Sequence, residues 1–207
     1  MIRLILYFNQ SKKFLSNSLL YFIGYAFAFL IPYIVNPILI NNLDSNSLAI
    51  LSKFGIVSSI LISLSSLGLT GGLAVFAFKY KNEKFNKIIL QIPLLFLIST
   101  LIFSFIFYVF SSTSFNWSYD IYIFLFLFVF FIANYNVIVS YFTVIENRIM
   151  VIMSYIVNAS LIVFFVYIFI LNPFNLNYVG RLLSLTIPPF LISSIFCSSI
   201  TLIIDFK

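Results

Sequence analysis

The chain has 207 residues, 63% of them hydrophobic and only 8% charged, with a formal net charge of +6. That balance excludes a water-soluble globule, in which about a quarter of residues are charged. Apolar runs of helix-spanning length make the chain an all-α, polytopic membrane protein, and its length accommodates about six spans of roughly 20 residues each.

In a soluble protein the excess of cations would point to nucleic acid. Here they gather at loop ends, where they set topology, so no nucleic-acid partner is expected. Cys197 is the single cysteine and there is no histidine. An intramolecular disulfide and a thiolate metal cluster are thereby excluded, and the commonest metal ligand and near-neutral proton shuttle are missing. No metal and no cofactor are expected.

The first ten residues hold Arg3 and an apolar patch from Leu4 to Phe8. The patch is too short for a signal-peptide core, and no small-residue cleavage site follows. It predicts an interfacial helix on the inner leaflet, followed by Lys12 and Lys13. Span one, about 17–40, carries no charge over 24 residues, enough to cross a core of about 30 Å. Pro32 and Pro37, with Asn36 between them, predict a bent helix turned towards the protein interior, where neighbours can satisfy the freed carbonyls.

A polar linker at 41–46 contains Asp44. Span two, about 47–78, is long and contains Gly55, Gly68, Gly71 and Gly72; tilt or a bend near Gly68 absorbs the excess. Lys79, Lys81, Lys84 and Lys87 form a basic turn. Span three, about 88–110, has Pro93 near its start, and the linker 111–120 holds Trp117 and Tyr119, residues that favour the headgroup level. Span four, about 121–144, includes the run 124–131, which is apolar on every side and predicts a lipid-facing helix. Span five is about 149–171. Span six, about 179–204, carries Pro188 and Pro189 in its middle. Residues 1–207 form a single transmembrane domain.

With six spans, Arg3, Lys12, Lys13, Lys79, Lys81, Lys84, Lys87, Arg148 and Lys207 all fall on one side, while the opposite linkers hold Asp44 and Asp120. The positive-inside bias of short loops puts both termini in the cytoplasm.

Several features in order resemble one family. They are the paired prolines of the first helix, the short acid-bearing linker, a second helix ending in Leu67-Gly68-Leu69-Thr70, and then Phe78-Lys79-Tyr80-Lys81-Asn82-Glu83-Lys84. Thr143-Val144-Ile145-Glu146-Asn147-Arg148 before span five and Gly180-Arg181-Leu182-Leu183 opening span six fit the same pattern. Together they resemble the N-terminal half of the polysaccharide-unit flippases, the O-antigen (Wzx-type) relatives of the multidrug and toxin extruders. Thr70 and Val75 stand where members often carry a charge and an arginine. The resemblance implies a bundle of about six helices, like one half of a MATE-like exporter, in the bacterial cytoplasmic (inner) membrane. It implies transport of an undecaprenyl-diphosphate-linked oligosaccharide for polysaccharide or lipopolysaccharide biosynthesis. Implied partners are the lipid-linked oligosaccharide, membrane lipid, and a second half supplied by another copy or chain.

Such a carrier needs cations for the diphosphate and polar groups for the sugars. Lys53, about two turns inside span two, and Arg181, at the start of span six, are the intramembrane cations. At mid-bilayer each costs roughly 2.5–3.5 kcal/mol, unless it snorkels to the headgroups. Asn36 binds sugar hydroxyls or caps a carbonyl freed by Pro37. Lys53, Arg181 and Asn36 are therefore the candidate substrate-binding residues. The five acids are scattered in or beside linkers and no nucleophile, phosphate loop or metal cluster is present, so no enzyme is expected. Two other classes stay open: a membrane scaffold or inactive remnant, and a drug/cation antiporter, which the want of an intramembrane carboxylate disfavours.

Overall fold

Long apolar runs that satisfy their backbone internally give helices, and every element of the computed structural model is one. The structure describes residues 2–66, 68–79, 83–115, 117–145, 147–171 and 177–205. Side chains are described between 18 and 195, apart from 20, 21, 78, 83–86 and 112–114. In order these are α1 (Ile2–Asn42), α2 (Ser45–Ser65), α3 (Leu69–Lys79), α4 (Glu83–Phe115), α5 (Tyr119–Val144), α6 (Arg148–Val166) with a π-helical turn over Tyr167–Leu171, and α7 (Asn177–Asp205). Among the described residues, six stretches are long and apolar enough to cross a membrane: Phe22–Asn42, Ser45–Ala77, Lys87–Ser111, Tyr119–Val144, Arg148–Leu171 and Asn177–Ile195.

The six spans alternate in direction, with α2 and α3 sharing one, so the molecule has an acidic end, carrying Asp44 and Asp120, and a basic end, carrying Lys79, Lys87 and Arg148. Packing bears this out. At the acidic end Phe54, Leu61, Ile121, Leu125 and Leu182 form one cluster; towards the basic end Leu73, Ile89, Phe96, Tyr141 and Val151 form another. A third joins Ile31, Val35, Leu39 and Leu43 of α1 to Ala159, Ile162, Val166 and Ile170. The break expected near Gly68 is present: α2 stops at Ser65, Gly68 takes φ +68°, and α3 begins at Leu69. Such a φ is open to glycine at little cost.

Three expectations are corrected. Residues 2–10 do not form a separate interfacial helix; they are the start of α1, which runs unbroken for 41 residues. No Gly or Pro stands between Ile2 and Ser16 to stop it, and straight-chain residues propagate a helix readily. At 1.5 Å per residue α1 is about 60 Å long, twice a hydrocarbon core. Second, the proline face of α1 does not turn inward. Pro32, Asn36 and Pro37 are exposed, and the opposite seam of Ile31, Val35 and Leu39 is buried. The reason is that α1 lies at the periphery with α6 as its one extensive neighbour, so a single narrow face is covered.

Third, α5 does not face lipid. It packs against α2, α3, α4, α6 and α7 and forms the axis of the bundle, with Leu125, Val129 and Ala133 almost wholly covered. A helix apolar all round suits a protein core as well as a bilayer. α7 stays helical through Pro188 and Pro189, both buried, and Phe190 sets its ring 4.8 Å from that of Phe131 on α5.

Candidate functional site

Two concavities compete for the role. The larger, about 580 Å³, lies between α1 and α6 and is lined by Phe27, Leu30, Ile34, Val163, Phe164 and Tyr167 among others. Its walls are nearly all hydrocarbon, so it has little with which to orient a polar ligand. The smaller, about 420 Å³, lies in the basic-end half between α1, α3, α5 and α6. Six of its nine lining residues carry a hydroxyl or amide: Tyr25, Thr70, Asn136, Ser140, Thr143 and Tyr155. An apolar wall with a few convergent polar groups is the usual character of a binding site, and this volume lies within the usual range.

The sequence builds this crevice from regular spacing. On α5, Asn136, Ser140 and Thr143 follow at i, i+4 and i+7, which places them on one helical face. Thr70 and Ala74 do the same on α3, directly after the Gly68 break. The α1 wall comes close because Gly24 has no side chain. A Cβ there would lie 3.3 Å from Tyr155 Cδ2 and 3.5 Å from Ile152 Cα. Tyr25 and Tyr155 pair their rings at 4.8 Å with a 41° tilt. Behind them Tyr135 meets Tyr155 edge-on at 6.5 Å. The Tyr135 hydroxyl is buried and has no partner among the described residues.

Among the described residues none that lines it is charged. Cations stand farther along the helices, at the basic end. Lys79 closes α3 nine residues beyond Thr70, about 13 Å along the helix, and Arg148 opens α6 about 10 Å from Tyr155. The crevice can therefore exchange hydrogen bonds with neutral groups, while the positive charge lies beyond it, at the basic end.

The residues singled out from the sequence lie elsewhere. Lys53 is exposed on α2, and its Nζ stands 5.9 Å from the centre of the Phe115 ring, at the acidic end of α4. That is a cation–π contact drawn towards the end of the bundle. Arg181 is half-buried in the first turns of α7, where Nη1 donates to Ser184 Oγ at 3.3 Å. Ser184 in turn donates to the Arg181 carbonyl at 2.8 Å. Both cations flank the acidic-end cluster that contains their neighbours Phe54 and Leu182. Asn36 is on the exposed face of α1. None of the three lines the crevice. What sequence reasoning missed was the Asn136–Ser140–Thr143 spacing in an otherwise apolar helix, a signal that was there to be found.

No protein-family model, curated protein or solved structure matches this chain.

Proposed function

We propose that this chain is a membrane carrier for a lipid-linked oligosaccharide, with its basic end in the cytoplasm. The observation that carries this reading is the hydroxyl-lined crevice set inside an apolar bundle, in the half of the molecule whose end carries Lys79 and Arg148. A polar concavity within a membrane domain marks a substrate path by default, since polar groups there are costly without a role. In this reading the basic-end cations draw an anionic headgroup, and the crevice meets the sugars. The lipid tail stays in the bilayer throughout. The resemblance to polysaccharide-unit flippases points the same way, and in that reading a second six-helix half completes the passage, with rocking of one half against the other giving alternating access.

The test is reconstitution of the full chain in liposomes with a fluorescent polyprenyl-diphosphate oligosaccharide. Accessibility to an external quencher is then followed in time. Transfer faster than in protein-free liposomes, and slowed in Asn136→Ala, is the expected result. Transfer no faster than in protein-free liposomes, from chain shown to be helical, would overturn the carrier.

A further inference from the structure

Resting on the carrier reading, we propose that the α1–α3–α5–α6 crevice recognises the uncharged sugars of the transported unit and takes no part in holding its diphosphate.

Hydrogen-bond chemistry separates the two groups. A sugar hydroxyl both donates and accepts, whereas a diphosphate only accepts and is charged. Thr143 already donates its hydroxyl proton to the Val139 carbonyl at 2.8 Å, so what it offers the crevice is an acceptor. A sugar hydroxyl can donate to that oxygen; a phosphate cannot. Asn136 brings two N–H donors and a carbonyl acceptor, a mixture that again suits hydroxyls. The diphosphate, by contrast, needs Lys or Arg, and a buried anion without a cation is strongly disfavoured. Among the described residues the lining supplies no cation.

The aromatic groups complete the match. Tyr25 and Tyr155 present a ring pair beside these polar groups, as a pyranose requires, with its apolar C–H faces alternating with hydroxyls. Tyr135 adds a hydroxyl that is covered on all sides yet unpartnered among the described residues. It stands edge-on to the same Tyr155 ring, behind the crevice and outside its lining.

The experiment uses the full chain in phosphatidylcholine nanodiscs, with binding read by microscale thermophoresis. Three probes are compared: a polyprenyl diphosphate bearing a neutral tetrasaccharide, the same lipid without sugar, and a diglucosyl diacylglycerol, which has sugar and no phosphate. The sugar-bearing diphosphate should bind at least about ten-fold tighter than the bare one, the effect of one or two good hydrogen bonds. The diglucosyl lipid should compete with it. Asn136→Ala combined with Ser140→Ala should bring the sugar-bearing lipid down to the level of the bare lipid without weakening the latter. If that variant loses helicity, Thr70→Val should reduce the preference on its own.

Equal binding of sugar-bearing and bare diphosphate lipids would overturn the inference while leaving the carrier reading in place. Binding of the diglucosyl lipid with neither diphosphate lipid bound would sustain the sugar site and sink the carrier. Binding of none of the three would sink both.

Discussion

Gly180 of α7 lies directly against Phe169 in the π-helical turn. A methyl group on its Cα would stand 2.9 Å from both Phe169 Cβ and the Phe169 carbonyl oxygen. Backbone sits against backbone there, and neither side can yield by rotating a side chain. Gly180→Ala should therefore lower stability by about 1–3 kcal/mol, the usual cost of overpacking. Gly71→Ala is the internal control, since nothing lies within 4 Å of a Cβ at that position of α3. It should be neutral or gain up to about 1 kcal/mol from helix propensity. Thermal unfolding in detergent, with both variants melting alike, would show the close approach to be unimportant.

Gly68 poses a different constraint. Space around it is open, so strain from a side chain comes from φ alone. Gly68→Ala should cost about 1–2 kcal/mol, and Gly68→Asn less, because Asn tolerates the left-handed region. Since α3 carries Thr70 and Ala74 into the crevice, the alanine variant should also bind sugar-bearing lipid less well. Unchanged stability and binding would argue that the break between α2 and α3 does not depend on glycine.

The ring cluster behind the crevice separates packing from hydrogen bonding. Tyr155→Phe keeps the pairings with Tyr25 and Tyr135 and removes only the hydroxyl, so the fold should hold. Tyr155→Ala removes both pairings, at about 1–3 kcal/mol for the two. A phenylalanine variant as unstable as the alanine one would mean that the hydroxyl, not the ring, joins α1 to α6.

Orientation can be read from single cysteines, because Cys197 is the one native thiol. In a Cys197→Ser background, Asp44→Cys and Ser118→Cys should react with an impermeant maleimide added to intact cells. Arg148→Cys should react only after permeabilisation. The reverse pattern would place the basic end outside and turn the proposed carrier upside down.

Asp44, the N-cap of α2, gives a pH prediction. Its carboxylate makes no hydrogen bond to the first-turn backbone, but the Ser47 hydroxyl beside it holds its pKa below the ordinary carboxylate value. A pKa lower in the folded than in the unfolded chain contributes stability above the unfolded value, about pH 4, and loses it as pH falls through the folded value. Asp44→Asn should flatten the acid limb of the stability profile below about pH 4 and leave neutral pH little changed. An identical acid limb in the variant would count against Asp44 as its source.

The six spans were legible because uncharged runs alternate with polar linkers, and that alternation is written residue by residue. The Gly68 break was legible for the same local reason. The role of α5 was not. Lipid and a protein interior are both apolar surroundings, so the run 124–131 cannot say which of them it meets. The inward turn expected of Pro32, Asn36 and Pro37 failed on packing, since a helix with one neighbour hides only one face. Lys53 and Arg181 drew attention as charges, and the structure sets both at the acidic end. The crevice depends on Tyr25, Thr70, Asn136 and Tyr155 converging from four helices, and no single stretch of sequence records that meeting.

The attachment of α1 is one-sided. Five helices gather round α5 and would have to disassemble together, whereas α1 hangs from α6 along one edge, like a door on its post. That edge runs from the Gly24 approach and the Tyr25–Tyr155 ring pair through the seam of Val35 and Leu39. The hydroxyl-lined crevice is thus walled on one side by a peripheral helix that the bundle holds along a single face.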